Sequence, residues 1–248
     1  SPENPLTPRV IVNRVWMHHF GNGLVRTPSD FGFQGDKPSH PELLDYLAGR
    51  FIKDGWSLKK LHRLIVTSAT YRQGSVATSK HYAKDPDNRF LGRMNRRRIG
   101  LEEMRDAVVA ASGTLDTSSV GGKSVDLWAQ PFTNRRAVYG FVERQNLPGI
   151  FRTFDFASPD TTNPNRFQTT VPQQALFFLN SPFAIEHSHK IAGRKEVASL
   201  ADPKAKAKTI YRLVLSRLPS ENELAAGGTY LALAAPSAPQ SAWEYGVG

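Results

Sequence analysis

The side chains with the clearest capacity for chemistry lie in one stretch, residues 7–36. Its first half, TPRVIVNRVWMHHF, sets polar and aromatic groups among aliphatic ones: Asn13, Arg14, Trp16, His18 and His19. Histidine titrates near neutral pH, so it can act as a general base or as a metal ligand. A histidine in an apolar surround is more often a core residue that bonds a backbone carbonyl. Both alternatives stay open for His19.

The element that carries these residues is predicted to be a buried helix. Thr7 followed by Pro8 is typical of an N-cap and a first helical residue. Gly21 is expected to stop the helix after about Phe20. Apolar side chains cover most of its surface, which predicts burial on nearly every side.

Two histidines of this helix are predicted to face different surroundings. At about 100° per residue, His19 falls at the centre of the apolar arc. Arg14 and His18 are four residues apart and share one narrow polar strip, so they can contact each other or a common partner. The adjacent histidines are therefore expected to have different roles.

A second core-facing histidine is predicted on the third helix. Ser57 is typical of an N-cap, and the apolar spacing predicts a helix that extends to about Tyr71. His62 lies beside Leu58 and Ala69 on the predicted core-facing side. If this helix packs against the first, His19 and His62 approach each other, and the alternative is that each has a partner of its own.

The candidate site combines these groups with nearby aromatic and basic residues. The predicted catalytic residues are His19, His62, Arg14 and His18. The predicted substrate-binding residues are Asn13, Trp16, Tyr71, Arg72, Arg96 and Arg97. No residue is assigned to a metal.

Composition bounds the class of protein. The 248 residues are 40% hydrophobic, enough for one large domain or two small ones. Cysteine is absent, which excludes disulfides, thiolate zinc sites, iron–sulfur clusters and covalent haem attachment in this chain. The sequence contains no run of about 18 apolar residues, which a membrane-spanning helix would need. The start, SPENPLTPRV, does not resemble a signal peptide, and the chain is expected to be a fragment of a longer protein.

The positive charge is concentrated in the first part of the chain. Of the net charge of +10, residues 1–100 contribute +9, from 17 Lys and Arg against 8 Asp and Glu. A polyanion is expected to bind this part: an acidic or sulfated polysaccharide, nucleic acid, or an acidic neighbouring domain. The run of Arg side chains between Arg89 and Arg98 recurs near helical spacing, and it is expected either to hold anions or to pair within the protein.

The fold is predicted to be mainly α, with about eight helices around one core, long loops and a minor β element. The predicted helices lie near residues 7–20, 40–54, 58–71, 101–112, 172–179, 182–189, 203–217 and 220–234. Residues 135–142 are predicted as the one strand, with residues 128–132 as its partner. The chain is treated as a single domain, and the Gly/Ser/Thr-rich residues 114–124 are the best candidate for an internal boundary.

Several local features carry narrower expectations. Ser39 and Glu42 are predicted to form a capping box, as are Ser220 and Glu223. Asp155, set between two phenylalanines, is predicted to be at least half-buried and bonded to an Arg or an amide. Glu186, His187 and His189 could recruit a metal, but side chains two residues apart on a helix face apart.

Common catalytic signatures are missing from the sequence. It contains no phosphate-binding loop G-x-x-x-x-G-K-[ST], no dinucleotide fingerprint G-x-G-x-x-G after a strand, no H-E-x-x-H and no G-x-S-x-G. The sequence alone therefore predicts no reaction.

The chain resembles the planctomycete domain-of-unknown-function family 1553, also labelled PSD. The strings that carry the resemblance are VNRVWMHHFGNGLVRTPSDFG, SHPELLDYLA, GWSLKKLHRLIVTSATYRQ, DPDNRFL, MNRRRIGLEEMRDAVVAASG, RRAVYGFV, FDF and TTVPQQALFFLNSPF. Met17 departs from the Gln that the family more often has, and residues 235–248 differ from the usual family end.

This resemblance implies a context more than a chemistry. Such domains lie at the C-terminal side of secreted multidomain proteins, after a related helical domain and often a cytochrome-c-like module. The bacteria concerned are rich in sulfatases and polysaccharide-degrading enzymes. The resemblance therefore implies an extracytoplasmic location, upstream domains of the same polypeptide as partners, and a haem on a linked upstream domain, with no cofactor in this chain.

Three functional hypotheses follow. The first is an extracytoplasmic module of a polysaccharide-processing system, as the substrate-binding or catalytic partner of a linked cytochrome domain in a redox step on sugars. The second is a non-catalytic scaffold in which the same residues are core and interdomain contacts. The third, nucleic-acid binding, rests on charge alone and is ranked last.

Overall fold

A computed structural model describes residues 4–166 and 168–234, and it is mainly α-helical, as predicted. The described residues form two compact units, 4–98 with 161–166, and 99–160 with 168–234. Each unit has its own hydrophobic cluster, so the expectation of one core was wrong. The change of unit falls between Arg98 and Ile99, and residues 114–124 lie within the second unit. Residues 235–248 lie outside the described part of the chain.

The first unit is built on three helices and a short fourth: α1 Leu6–Phe20, α2 Pro41–Lys53, α3 Leu58–Val66 and α4 Ser79–Lys84. Helix α1 packs against both α2 and α3. The buried cluster between them consists of Val12, Trp16, Phe20, Leu24, Val25, Leu44, Leu47, Phe51, Leu61 and Ile65. Helix α4 is not among the eight predicted helices.

Two predicted helix caps of this unit were wrong. Helix α1 begins at Leu6, because the Oδ1 atom of Asn4 accepts hydrogen bonds from the amides of Leu6 and Thr7. Helix α2 has His40 as its N-cap residue and no side-chain cap. The hydroxyl of Ser39 pairs with Nδ1 of His40 instead of capping the helix.

Helix α3 is shorter than predicted, and its exposed face is different. It ends at Val66, where the Thr67 hydroxyl donates to the carbonyl of Arg63. The core-facing residues are Leu61 and Ile65, one turn apart. His62 lies about 100° around the helix from Leu61, so it is exposed, and the prediction that it faces the core was wrong. The predicted Ser57 cap is confirmed by its bond from the amide of Lys60.

A buried amide fixes the chain reversal that follows α1. Asn13 is fully buried, and its side chain bonds both backbone groups of Val25: Nδ2 donates to the carbonyl at 2.9 Å, and Oδ1 accepts from the amide at 2.9 Å. Gly23 lies against this contact, because a Cβ there would be 2.4 Å from the Val25 carbonyl oxygen. The close approach leaves room only for glycine at position 23.

The arginine-rich segment after α4 is not helical. Asn88, which is buried and has a φ of 48°, donates from Nδ2 to the Arg93 carbonyl and to Oδ1 of Asn95. The carboxylate of Asp85 accepts from the amides of Arg89 and Phe90. These side chains satisfy backbone groups that a helix would use, which is why the near-helical spacing of the arginines does not produce one.

The second unit contains the remaining helices: α5 Leu101–Ala111, α6 Gly149–Thr153, α7 Pro172–Asn180, α8 Pro182–Gly193, α9 Lys195–Ala198, α10 Pro203–Leu215 and α11 Glu221–Ala234. Helix α5 contacts α8 and α10. The buried cluster is Leu101, Met104 and Phe151. The capping box of Ser220 and Glu223 is confirmed, because each side chain accepts from the amide of the other residue. The short helices α6 and α9 were not predicted.

The predicted strand at residues 135–142 was wrong. A 3-10 helix, Ala137–Tyr139, lies there, and the only β contacts within the described residues are isolated bridges from Asp116 to Arg135 and from Val125 to Gly140. The buried guanidinium of Arg105 donates to the carbonyls of Thr133 and Arg135. Because side chains bond these backbone groups, the segment does not need a strand partner.

Asp155 is half-buried, as predicted, and the expectation of an amide partner is confirmed. Its carboxylate accepts hydrogen bonds from both the amide and the hydroxyl of Thr169 at 2.7 and 2.8 Å. The contact joins the segment after α6 to the residues that lead into α7.

Glu186, His187 and His189 do not converge on one point. His187 is fully buried, and its Nδ1 lies 2.9 Å from the hydroxyl of Ser112, whereas His189 is exposed. The Ser112 hydroxyl already donates to the Val109 carbonyl, so Nδ1 of His187 must be the donor in this contact. The Nε2 atom of His187 is buried and has no partner within the described residues.

The close packing at Gly23 in the first unit predicts how substitutions there change stability. Gly23→Ala places a Cβ against Val25 and Asn13, so we expect it to lower the free energy of unfolding by about 1–3 kcal/mol. The matched control is Gly49→Ala in α2, where a Cβ meets nothing within 4 Å. It should raise that free energy by about 0.5–1 kcal/mol. Urea unfolding measures both, and equal stabilities of the two variants would contradict the packing.

The second prediction concerns acid stability. Burial, and to a smaller extent Lys190 and Arg105, lowers the pKa of His187, while Glu186 raises it. Since the folded-state pKa lies below the ordinary value of about 6.5, the free energy of unfolding should fall as the pH drops below about 6.5, by at most about 1.4 kcal/mol per pH unit.

His187→Asn retains a donor for Ser112 but cannot titrate. It should remove the contribution of His187 to the pH dependence of the free energy of unfolding, as measured by urea unfolding at pH 7.5 and 5.5. The matched control is His189→Asn on the exposed face of the same helix, which should keep the pH dependence of the unmodified chain. An unchanged slope in His187→Asn would refute the assignment.

Candidate functional site

The centre of the candidate site is a hydrogen-bonded pair of histidines. The Nε2 atom of His19, near the end of α1, lies 2.8 Å from Nδ1 of His62 on α3, and the ring centroids are 5.0 Å apart. One of these two nitrogens must carry a proton and donate the hydrogen bond, and the other must accept that bond. Of the two alternatives left open by the sequence, the structure shows the one in which these histidines meet.

The two rings differ in exposure. His19 is half-buried and His62 is exposed. The Nε2 atom of His62 makes no hydrogen bond within the described residues, so the pair presents one free ring nitrogen on its exposed member.

An aromatic wall supports the half-buried ring. Tyr71 packs edge-on against His19, with ring centroids 5.5 Å apart and an interplanar angle of 90°. Tyr71 also contacts Phe20 at 5.9 Å, and Phe20 stacks on Trp16 at 4.2 Å. The contacts form a continuous series from the histidine pair back into α1, which orients the His19 ring.

The electrostatic surroundings of the pair are positive. Burial lowers the pKa of His19 first, and the charges of His62, Arg97 and His18 lower it further. Among these neighbours Arg97 is the permanent cation. A positive local potential opposes protonation of His19 and attracts anions.

The other predicted basic residues lie at the surface. Arg14 and His18 are both exposed, and so are Arg72, Arg96 and Arg97. Within the described part of the chain, the structure shows no ion pair to any of these four arginines. Their charges are not neutralised by contacts within the unit, so they add to the positive potential.

Two predicted substrate-binding residues have other roles. Asn13 is fully buried and both of its polar atoms bond Val25, so it is a structural residue and has no surface for a ligand. Trp16 is only 5% exposed, and its ring stacks on that of Phe20. It lines a separate cleft of the same unit.

The sequence did not predict this small cleft, whose free volume is about 20 Å³. The residues that line it include Trp16, Asn22, Arg26, Asp87, Arg89 and Asn95. They come from α1, from the loop after it and from residues 87–95. The sequence contains turn-forming residues at Asn22-Gly23 and around Asp87. The contact between these two turns depends on the buried hydrogen bonds of Asn13 and Asn88.

Within the described residues, no group of three or more His, Asp and Glu side chains is arranged to hold a metal ion. None of the helices described is long and apolar enough to cross a membrane.

These features define a mainly α-helical protein of two units, with a basic histidine–arginine surface on the first. Residues 1–231 match the family model PSD1, described as a protein of unknown function (DUF1553), so the chain belongs to that family. The resemblance in the sequence is thereby confirmed. No curated protein and no solved structure shows a significant match.

The charge arrangement predicts a measurable change at His19. Arg97→Gln removes one of the cations that lower the pKa of His19, so that pKa should rise toward its ordinary value near 6.5. An NMR titration of the histidine ring resonances measures it. Arg96→Gln, the exposed neighbour that is not among the causes of the shift, is the matched control. Equal effects of the two substitutions would contradict the placement of Arg97.

Proposed function

We propose that the first unit binds anionic groups of polysaccharides, sulfate or carboxylate, at the cluster of His19, His62 and Arg97. The observation that carries this proposal is the 2.8 Å histidine pair beside the cation Arg97, on a surface with further exposed arginines. An anion is the ligand that the positive potential of these arginines attracts.

The pair supplies a donor for such an anion. A ligand at the exposed edge favours the tautomer in which His19 Nε2 donates to His62 Nδ1, because the single ring proton of neutral His62 then lies on Nε2, the nitrogen outside the pair. That Nε2–H group donates to a sulfate or carboxylate oxygen. The wall formed by Tyr71 holds His19 in place, so the donor is oriented before the ligand arrives.

Arginine completes the recognition. The Arg97 guanidinium presents a planar set of N–H donors that matches two oxygens of a sulfate or carboxylate. The exposed Arg14, Arg72 and Arg96 raise the potential around the cluster, and the charge of +9 over residues 1–100 steers a polyanion toward this unit.

A polysaccharide is favoured over nucleic acid by the setting that the family resemblance implies. That setting is an extracytoplasmic module in bacteria that degrade sulfated and acidic polysaccharides, and an extracytoplasmic location is part of the proposal. The redox partnership with a linked cytochrome domain, and a catalytic role of His19 and His62, stay predictions from the sequence.

The scaffold hypothesis expects the same side chains to be covered and paired. Within the described residues, the exposed His62 and Arg97 and the absence of ion pairs to the neighbouring arginines support binding instead.

The test is calorimetric titration with an oligosaccharide of chondroitin sulfate at low and physiological salt. His62→Ala and Arg97→Ala should each weaken binding about 10-fold or more, because each removes a hydrogen bond to a charged group, worth about 1.5–3 kcal/mol. The matched control is Arg212→Ala, an exposed arginine of α10 in the second unit, which should leave the affinity unchanged.

Other outcomes would overturn the proposal. Equal losses in Arg212→Ala and Arg97→Ala would mean that binding follows net charge alone. Random-sequence DNA that binds as tightly, with a steep salt dependence, would favour the nucleic-acid hypothesis.

A further inference from the structure

We infer that the first unit inserts two phenylalanines, Phe33 and Phe90, into the interface of an anionic lipid membrane. The Phe33 side chain is fully exposed, and Phe90 is 70% exposed. Neither residue belongs to the histidine cluster, so the inference is independent of the proposed function.

The loop that carries Phe33 is fixed by its own contacts. The hydroxyl of Thr27 donates to the Asp30 carbonyl at 2.8 Å and accepts from the Asp36 amide at 2.9 Å. Gly35 lies so close that a Cβ there would be 2.2 Å from the Asp30 carbonyl oxygen. The loop has no room to collapse around its apolar side chain, so the ring of Phe33 stays in solvent.

The loop that carries Phe90 is also fixed. The carboxylate of Asp85 accepts from the Phe90 amide at 2.8 Å. Leu91 has a φ of 55°, which is uncommon for a leucine, and it packs against the buried cluster of the unit. The chain therefore holds Leu91 against the core while Phe90 is exposed. The first loop shows the same division, because Phe31 packs against that cluster and Phe33 does not.

The two loops lie next to each other. Arg26, directly before the first loop, pairs with Asp87 of the second at 3.7 Å. His40, which follows the first loop, contacts Phe90 edge-on, with ring centroids 6.3 Å apart. Neighbouring loops of one surface thus each expose a phenylalanine. Exposed apolar groups that share a surface mark a site of protein or membrane interaction.

Charge favours an anionic lipid surface as the partner. Residues 31–35 and 90–92, at the tips of the loops, include no charged residue. Residues 1–100 have 17 Lys and Arg against 8 Asp and Glu, and Lys37 and Arg89 are exposed beside the tips. A basic surface is attracted to anionic headgroups, which brings the uncharged tips to the membrane.

The full exposure of Phe33 favours lipid for a second reason. Removing an apolar side chain from water is favourable in proportion to the area covered, and acyl chains can surround a projecting ring without a pocket of complementary shape. Asp30 and Asp36 flank the ring. Their carboxylates must stay hydrated, which limits insertion to the outer part of the membrane, about 5–10 Å deep.

The experiment is sedimentation with phosphatidylcholine vesicles that contain about 30% phosphatidylglycerol. The unmodified chain should bind these vesicles more tightly than pure phosphatidylcholine. Phe33→Ser and Phe90→Ser should each weaken binding about 10-fold, although the charge is unchanged, because each removes the apolar area of one ring. Phe141→Ser, an exposed phenylalanine of the second unit, is the matched control and should bind as the unmodified chain does.

A second measurement reports insertion directly. The chain contains no cysteine, so Phe33→Cys provides a single site for an NBD fluorophore. Its emission should shift to shorter wavelength when the vesicles bind. A nitroxide near the headgroup end of the acyl chain should quench it more than one near the methyl end. The same label at Phe141→Cys should show neither change.

Three results would rule out insertion. Without vesicle binding by the unmodified chain, the exposed rings are assigned to a protein partner. If Phe33→Ser and Phe90→Ser bind as tightly as Phe141→Ser, the vesicles hold the chain by charge alone. If both also lose chondroitin sulfate affinity by the same factor, the rings serve the polysaccharide.

Two controls keep these results distinct. Circular dichroism should show unchanged melting temperatures for Phe33→Ser and Phe90→Ser, since both side chains are exposed. Both variants should also keep the affinity of the unmodified chain for chondroitin sulfate, whereas His62→Ala should lose it. Membrane insertion and the anion site can therefore fail separately.

Discussion

The bidentate contact between the buried amide of Asn13 and the backbone of Val25 is the constraint on which the first unit depends. Its two hydrogen bonds satisfy an amide and a carbonyl that the chain reversal would otherwise leave unpaired in the core. They place Leu24 and Val25 inside and leave Asn22 at the surface. The remaining gap at position 23 has no room for a Cβ atom, so only glycine fits there. The shape of the cleft is therefore a consequence of one buried side chain.

Helix α1 divides three roles among residues spaced three apart. Successive steps of three residues turn the side chain by about 60° in the same direction. Asn13 points inward to the chain reversal, Trp16 lies at the cleft, and His19 reaches the edge where α3 packs. A single regular element thus carries a buried structural residue, a residue that lines the cleft and one member of the histidine pair. This spacing also explains why an apparently uniform apolar arc contains residues with different surroundings.

The sequence predicted those elements whose signals are local. All eight predicted helices are present, and caps such as Ser57 and Ser220 act as expected because a cap contacts residues two or three positions away. It failed where distant side chains satisfy the backbone. Arg105 bonds carbonyls about 30 residues away and replaces the predicted strand. For the site, periodicity left the approach of His19 to His62 open as one of two alternatives. It placed His62 on the core-facing side, which was wrong, because a shorter α3 buries only Leu61 and Ile65. The cleft depends on Asn88 and Asn13, whose partners cannot be read from spacing.

His62 and His187 each have one ring nitrogen in a hydrogen bond and a second that makes none within the described residues. The surroundings of that second nitrogen differ between the two histidines. In both contacts a ring nitrogen bonds a neighbour, His62 for His19 and Ser112 for His187, and burial lowers the pKa of each half-buried or buried ring. The second nitrogen of His187 is enclosed and has no partner within the described residues, so a proton there would place a charge without a hydrogen bond near Arg105. That histidine contributes to stability and to its loss in acid. The second nitrogen of the exposed His62 makes no hydrogen bond within the described residues, so in the proposed function the same kind of contact orients a donor toward a ligand. Burial of the second nitrogen thus distinguishes the structural contact of His187 from the proposed binding contact of His62.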